Sequence, residues 1–347
     1  MHLNIQTIDD IYRVSNYHTS IKAVIFLITS VRHHSQYQVS RIFHTRHTLL
    51  FLIFDTFKVY IDKMSNRHSN KYIGAHVSFT RNDPAATATI IKDIGAEAAA
   101  IFLKPKLAGA VSKLPIETVR DFNNSITPLI PQRHLVVAHG GYIINLAGDD
   151  EAKYKRSMET LKCELDIGEQ LGVDIVIHPG YNKDKSKGIN QIAQSINKLA
   201  RDYTSTKILL ETMSGKPTST MLCSNFEEIA AIINKLEDKS KIGVCIDTCH
   251  LFVSGYDIRT DRKFDAVMRE FDRIIGPQYL RAVHVNDSTY DLGSGRDTHK
   301  IIGKGKIGIE AFKFMMADPH FDNIPLVIER GGTTAEIKAE IEILRSL

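Results

Sequence analysis

The chain contains six short apolar runs that each end in a side chain able to bind a metal ion. In order, these side chains are His139, His178, Glu211, Asp247, His284 and Glu329. The segments between runs add His250 and the pair Asp297 and His299, whose spacing places two side chains on one face of an extended segment. Imidazoles and carboxylates share a buried site only where a cation compensates their charge. The pattern therefore predicts a metal centre.

The mixture of nitrogen and oxygen donors indicates which ions this centre would bind. It suits zinc well, with manganese as an alternative, and the number of donors predicts up to about three ions. Clustered divalent ions with open positions are typical of phosphodiester hydrolysis, because they neutralise phosphate oxygens and lower the pKa of a bound water. Such a reaction needs neither a Ser-His-Asp triad nor a thiol nucleophile. The predicted chemistry is metal-assisted hydrolysis.

Strands and helices in alternation must position these side chains from residue 71 onward. Eight apolar runs read as buried strands, at 72–77, 98–103, 135–138, 174–177, 207–210, 241–246, 280–283 and 325–328. Helical patterns lie between them, at 150–171, 191–203 and 226–236, with glycines at the C-cap positions Gly95, Gly172 and Gly276. This α/β pattern predicts a (β/α)8 TIM barrel over 71–347 with an N-terminal extension. A doubly wound open sheet is the structural alternative, but it gives no reason for the strand ends to converge.

The octapeptide GVCIDTCH at 243–250 shows this organisation most clearly, and two interpretations of it stay open. Asp247 either binds a metal or serves as the N-cap of the helix that follows. Cys245 and Cys249 are predicted to be small core residues, because CxxxC without a second pair is a weak zinc signal. Elsewhere, His76 is expected to orient a ligand, and His134 and His320 to lie at the surface.

Composition and charge limit the class of protein. With 43% hydrophobic and 24% charged residues the chain is globular. Residues 1–70 hold eight Lys/Arg and four Asp/Glu, so the excess charge of +4 lies there and the remainder is balanced. Nucleic-acid affinity of 71–347 must then come from local patches such as KDKSK at 183–187 and KGK at 304–306, although a solvated face fits these runs equally well. Four cysteines predict a reducing intracellular compartment, cytoplasm or nucleus, with an organelle as the alternative.

The first 70 residues differ from the rest and are expected to be dispensable for chemistry. Their apolar runs at 23–28 and 49–54 are well below the roughly 18–20 residues that span a bilayer, so no membrane anchor is expected. Asp9 and Asp10 weaken the interpretation as an organellar transit segment. Met64 is an alternative start, since it leads directly into the first strand.

The segments that carry the metal candidates resemble the signature segments of endonuclease IV. They are HGGYIINL at 139–146, HPG at 178–180, LET at 210–212, GVCIDTCH at 243–250 with GYD at 255–257, HVND at 284–287, RDTH at 296–299 and IE at 328–329. The resemblance runs in order over 71–347 and fills all nine metal positions. It implies a zinc-dependent barrel enzyme of base excision repair. Such an enzyme cleaves the phosphodiester 5′ to abasic sites in double-stranded DNA and leaves a 3′-hydroxyl and a 5′-deoxyribose phosphate.

The resemblance also implies roles for individual residues. It divides the ligands among three zinc ions, with Glu211 shared between the first two. The first ion would also bind His139 and His178, and the second Asp247, His284 and Glu329. The third would bind His250, Asp297 and His299. Glu211 would also accept a proton from, or orient, the attacking hydroxide. Tyr142 and Ile143 would enter the minor groove and wedge into the base stack. The alternative for these two residues is that they begin the following helix.

Three departures from the family pattern leave open which kinds of DNA damage the protein accepts and how tightly it binds DNA. The loop after the second strand reads KPKLAG at 104–109, where the family presents an arginine and an aromatic residue. Thr212 stands where asparagine is common, and Arg330 where threonine is common.

Two other functions compete with the nuclease. Sugar isomerases and epimerases share the barrel, but their single metal has no use for the set His250, Asp297 and His299. A non-catalytic damage-binding protein would bind abasic DNA without cutting it. The nuclease is expected to act as a monomer.

Overall fold

The computed structural model describes residues 70–104, 109–216 and 218–347. The strands, in chain order, are β1 (Tyr72–Val77), β2 (Ala98–Phe102), β3 (Val136–His139), β4 (Asp174–Ile177), β5 (Ile208–Glu211), β6 (Ile242–Asp247), β7 (Leu280–His284), β8 (Asp287–Ser288), β9 (His299–Lys300) and β10 (Pro325–Ile328). Strands β1 to β7 and β10 pair in parallel and close into a barrel, with β10 between β7 and β1. The predicted (β/α)8 barrel is confirmed. The predictions on residues 1–69 lie outside the described residues.

Helices connect successive barrel strands and cover the outside. They are α1 (Pro84–Asp93), α2 (Ile116–Ile126), α3 (Glu151–Leu171), α4 (Lys185–Ala200), α5 (Phe226–Asn234), α6 (Thr248–Ser254), α7 (Asp261–Ile274), α8 (Ile309–Ala317) and α9 (Thr334–Arg345). Asp150 caps α3 through the Lys153 amide, and Gly172 ends it with φ 68°. No helix in the described part of the chain is long and apolar enough to cross a membrane.

The predicted start of α4 is wrong. The helix begins at Lys185 and not at residue 191, because Asp184 caps it by accepting the Lys187 amide. The basic run at 183–187 is therefore mainly the first helical turn and not a free loop. Two of its three lysines form ion pairs, Lys185 with Glu228 at 2.7 Å and Lys187 with Asp149 at 2.5 Å.

The barrel interior contains a separate layer of small apolar side chains. This interior layer consists of Ala100, Val137, Val176, Leu209, Cys245, Ala282 and Val327. Side chains alternate along a strand, so the residue two positions further points to the same side. Val137 is thus followed on the inner face by His139, and Leu209 by Glu211. The metal candidates therefore lie one inward-facing position beyond the apolar interior layer.

Gly74 allows β1 and β2 to approach each other closely. It pairs in register with Ala98, and a Cβ at Gly74 would lie 1.7 Å from the Ala98 carbonyl oxygen. No side chain fits in that space. The close approach helps to close the barrel at this seam.

Strands β8 and β9 form a small antiparallel pair outside the barrel sheet. Ser288 pairs with His299 and Asp287 with Lys300. The extended conformation expected around residues 297–299 is present at His299. The pair returns the chain to the end of β7, where the metal candidates of the barrel strands lie.

Candidate metal centre

The structure brings all nine predicted metal ligands together at the carboxyl end of the barrel. The first group forms around one oxygen of Glu211, at the end of β5. Glu211 Oε2 lies 3.3 Å from His139 Nε2 and 3.2 Å from His178 Nε2. His139 and Glu211 are fully buried, whereas His178 lies at the edge of the cavity.

The second group forms around the other oxygen of Glu211. Glu211 Oε1 lies 3.0 Å from His284 Nδ1, which is also 3.4 Å from Glu329 Oε2. One donor atom from each of Glu211, Asp247, His284 and Glu329 lies within 4.8 Å of the others. A carboxylate that faces two neighbouring groups can bridge two cations.

The third group lies nearer to solvent and comes from α6 and the approach to β9. Asp297 places its two oxygens 3.1 Å from His250 Nε2 and 3.2 Å from His299 Nε2. His299 Nε2 is also 3.6 Å from Asp247 Oδ2, which connects this group to the second. An open cleft of about 650 Å³ adjoins it, lined by Asp297 to Ile301 and Glu329 to Gly331.

Several donor atoms of these groups, and one of the neighbouring His76, are buried without a hydrogen bond of proper geometry. Among the described residues these are Nε2 of His76, His139, His250, His284 and His299, and Oε2 of Glu211. Buried polar atoms are nearly always satisfied, so such a concentration of exceptions requires an explanation. Divalent cations would satisfy them, and the nitrogen and oxygen donor set fits zinc. The residues present therefore fit the metal that the sequence predicts.

The charges of the site favour cation binding. Burial opposes ionisation of Glu211, but His284 and His178 hold its pKa well below the ordinary value. Burial also opposes ionisation of Glu329, but His284 outweighs it and lowers the pKa of Glu329 to about 2. At His250, burial lowers the pKa, but Asp247 and Asp297 raise it well above the usual range. A bound cation would displace the extra proton that these carboxylates attract to the imidazole.

Asp247 is the N-cap of α6, and its second oxygen remains free to face the other metal candidates, so the two interpretations that the sequence left open are compatible. Its Oδ1 accepts the backbone N–H of His250 at 2.8 Å, which caps α6. Its Oδ2 faces the second and third groups. Cys245 and Cys249 are free and buried, and burial raises the pKa of their thiols to about 11 and about 12. The expectation that they are small core residues agrees with this environment.

Asn286 is a functional candidate that sequence reasoning missed, and Thr212 is one that it noted only as a departure from the family pattern. Asn286 Nδ2 donates to Asp247 Oδ2 at 2.7 Å and to Glu329 Oε2 at 3.3 Å. Thr212 Oγ1 accepts the Asp247 amide at 2.8 Å, and its carbonyl lies 2.8 Å from His250 Nδ1. The threonine that departs from the family pattern therefore supports two ligands. The position of Asn286 in the HVND segment was the only sequence signal for it.

His76 lies against the second group, as expected for a residue that orients a ligand. Its Nε2 is 3.2 Å from Glu329 Oε1, and burial lowers its pKa to about 3. The imidazole is therefore neutral and can orient Glu329 or contribute a donor itself. His134 is exposed, and His320 is half-buried between Asp318 and Asp272, both outside the metal centre.

Tyr142 and Ile143 lie in a turn at the rim of the cavity. The alternative that they begin the next helix is wrong, because α3 begins at Glu151. Tyr142 is 44% exposed, and Ile143 is half-buried. Asn145 fixes this turn, because its Oδ1 accepts the amides of Ala147 and Tyr181.

Lys104 and Arg330, which depart from the family pattern, each form an ion pair within the protein. Lys104 points inward and pairs with Glu164 at 2.9 Å, and both side chains are buried. The rest of its loop, 105–108, lies outside the described residues. Arg330 pairs with Glu340 and also donates to the Gly331 carbonyl. Lys304 and Lys306 remain exposed, on a turn whose amides donate to Asp287.

Comparison with known proteins agrees with this geometry. Residues 88–347 match a family model described as "Xylose isomerase-like TIM barrel". The chain is 35% identical over 282 residues to the probable endonuclease 4 of Campylobacter curvus, covering 80% of this chain and 98% of that protein. The chain belongs to the endonuclease IV family. The resemblance seen in the sequence is thereby confirmed.

Two further proteins are similar to this endonuclease IV family member. It is 36% identical over 285 residues to apurinic-apyrimidinic endonuclease 1 of Plasmodium berghei, covering 80% of this chain but only 55% of the relative. The chain thus spans about half the length of that protein. The crystal structure of endonuclease IV from Thermus thermophilus is 26% identical, with a TM-score of 0.67 and coverage of 79% of this chain and 98% of that one.

Proposed function

We propose that this protein is a zinc-dependent apurinic/apyrimidinic endonuclease. It would cleave the phosphodiester 5′ to abasic sites in double-stranded DNA and leave a 3′-hydroxyl and a 5′-deoxyribose phosphate. The observation that carries the proposal is the convergence of nine donor side chains at one barrel mouth, four of which have a buried ring nitrogen without a hydrogen bond. Relatives named apurinic-apyrimidinic endonuclease 1 and probable endonuclease 4 support the same activity.

The three groups of ligands would each hold one zinc ion, with Glu211 common to the first two and manganese as a partial substitute. When bound, the ions supply positive charge to the phosphate oxygens and lower the pKa of water. Glu211 would accept a proton from the attacking water, because its ionised carboxylate lies between His139, His178 and His284. Asn286 would hold Asp247 and Glu329 in place throughout.

Residues at the rim would bind the DNA. Tyr142 and Ile143, in the turn at the rim, would enter the minor groove opposite the abasic nucleotide, which leaves the stack most easily because it has no base. Lys304 and Lys306 would contact phosphates, because their turn is exposed and fixed by Asp287. The protein is expected to act on DNA as a monomer.

The proposal is tested by incision of a 5′-labelled duplex that contains one abasic analogue. Chelator-treated protein should be inactive, and stoichiometric zinc should restore a single nick 5′ to the lesion. A DNA polymerase should extend the new end, because it carries a 3′-hydroxyl. The same duplex with an intact base serves as the control.

Three results would contradict the assignment. Zinc-loaded protein that leaves the abasic strand intact is not this nuclease. One metal per chain together with ketose-aldose interconversion indicates a sugar isomerase or epimerase. Tight binding of the abasic duplex without incision indicates a damage-binding protein.

A further inference from the structure

A buried ion pair lies directly behind the first group of metal ligands. Lys104, just after β2, places Nζ 2.9 Å from Oε1 of Glu164 in the middle of α3. Only 1% of each side chain is exposed. Removing two charges from water is costly, and such pairs rarely stabilise a fold more than apolar residues of similar size would. The pair therefore suggests a role beyond stability.

Glu164 is also bonded to the loop that follows β3. The backbone N–H of Gly141 donates to Glu164 Oε1 at 3.0 Å and lies 3.3 Å from Oε2. Gly140 allows this contact, because a Cβ there would lie 3.1 Å from the Val176 carbonyl oxygen and 3.2 Å from Glu164 Oε2. The backbone at 140–141 can therefore lie close against the carboxylate.

The same peptide group reaches His139 from its other side. The carbonyl of Gly140 and the N–H of Gly141 belong to one peptide unit. The Gly140 oxygen lies 2.8 Å from His139 Nδ1, while His139 Nε2 faces Glu211. Lys104, Glu164, this peptide and the imidazole thus form one series of hydrogen bonds. Bonds in such a series polarise one another, so the negative charge of Glu164 strengthens the Gly140 carbonyl as an acceptor.

We propose that Glu164, neutralised by Lys104, is a positioning residue for the first metal ion. Acting through the Gly140–Gly141 peptide, it keeps the proton of His139 on Nδ1 and the ring oriented so that Nε2 faces the cavity. Metal-binding histidines commonly donate their second ring nitrogen to a carboxylate or a carbonyl. Here the carboxylate acts through the carbonyl. The inference rests on the proposed metal centre.

Zinc binding by the full-length chain tests this role without reference to activity. The variants are Glu164→Gln, which keeps an acceptor for Gly141 but removes the charge, and Lys104→Met/Glu164→Gln, which leaves no unpaired buried charge. Zinc per chain and its dissociation constants are measured by competition with a chromophoric chelator. We expect both variants to bind one of the three ions about 10-fold more weakly, the usual lower range for loss of such a partner.

Glu169→Gln is the matched control, because Glu169 is another α3 carboxylate that accepts backbone amides. Its partners are Thr204, Ser205 and Thr206, which do not contact a metal candidate. This variant should keep wild-type zinc affinity at every site, even if its melting temperature falls.

Wild-type zinc affinity in folded Glu164→Gln and in the double variant would overturn the inference and leave the pair a purely structural role. If Glu164→Gln does not fold, the double variant decides. Failure of the wild-type chain to bind zinc is a different result, because it removes the proposed metal centre itself.

Discussion

The phenol ring of Tyr142 stacks on the imidazole of His178, with ring centroids 5.3 Å apart and planes inclined by 24°. Tyr142 also meets His139 edge-on at a centroid distance of 5.4 Å. Burial and the negative charge of Glu329 raise the pKa of Tyr142 to about 12, so its hydroxyl stays protonated at neutral pH. The side chain proposed to contact DNA is therefore packed on two of the proposed metal ligands.

Replacing Tyr142 by alanine should weaken binding of an abasic duplex by about 10-fold, within the range expected for one lost aromatic stack. Tyr142→Phe keeps the ring and should bind nearly as wild type. Fluorescence anisotropy with a labelled duplex, in a Glu211→Gln background that prevents cutting, measures both. Equal affinities for the alanine and wild-type side chains would exclude Tyr142 from the DNA contact.

Glu211→Gln should reduce the incision rate by about 10³-fold or more while the variant still binds abasic DNA. Glutamine has nearly the same shape but can neither accept the proton nor offer two carboxylate oxygens to the metal ions, and loss of a general base alone costs about 10²–10⁴-fold. Single-turnover incision and anisotropy on the same preparation separate the two effects. Exposed Glu237→Gln is the control and should cut normally. Wild-type turnover by Glu211→Gln would falsify the assigned role.

His320 should give the fold a pH-dependent contribution far from the metal centre. Its hydrogen bond to Asp318, together with the charge of Asp272, raises its pKa from 6.5 to about 9. A raised histidine pKa stabilises the fold fully below pH 6.5, and the contribution is lost as pH rises through about 9. His320→Gln should therefore cost about 1 kcal/mol at pH 6, after allowance for solvent screening, and nothing above pH 9.5.

Denaturant unfolding of wild type and His320→Gln across that pH range measures the difference. Asp272→Asn should reproduce part of the same profile, because it removes one of the two carboxylates. A stability difference that does not change between pH 6 and 9.5 would contradict the electrostatic explanation.

Gly74→Ala should destabilise the barrel by roughly 3 kcal/mol, because its Cβ would overlap the Ala98 carbonyl oxygen and separate β1 from β2. Gly331→Ala is the matched control, since a Cβ there meets nothing within 4 Å. Thermal melting of the two variants compares them. Similar melting temperatures would show that the seam relaxes without cost.

The sequence predicted the barrel and the six strand-end metal candidates because one signal marks both. A buried strand is an unbroken apolar run, and the first polar residue after it marks the carboxyl end. Strand β5 ends at Glu211 and β7 ends at His284, where the apolar runs of the sequence predicted the strands to end. Two-residue strands such as β8 and β9 carry no comparable signal, so only the spacing of Asp297 and His299 indicated them.

Contacts between distant segments could not be predicted in this way. Asn286 and Glu329 are 43 positions apart, and their hydrogen bond depends on the register between β7 and β10. Lys104 begins the loop that departs from the family pattern, but its side chain points inward to Glu164 on a later helix. The direction of a long side chain depends on partners that a single sequence does not identify.

The apolar interior layer beneath the proposed ligands would affect how quickly a bound metal ion is exchanged. Val137, Leu209 and their neighbours fill the space below the site, so an ion has no hydrated exit towards the barrel bottom. Departure and replacement must take place through the mouth that DNA would cover. A bound duplex would therefore trap the ions kinetically, and isotopic zinc exchange should be slower in the complex than in the free protein.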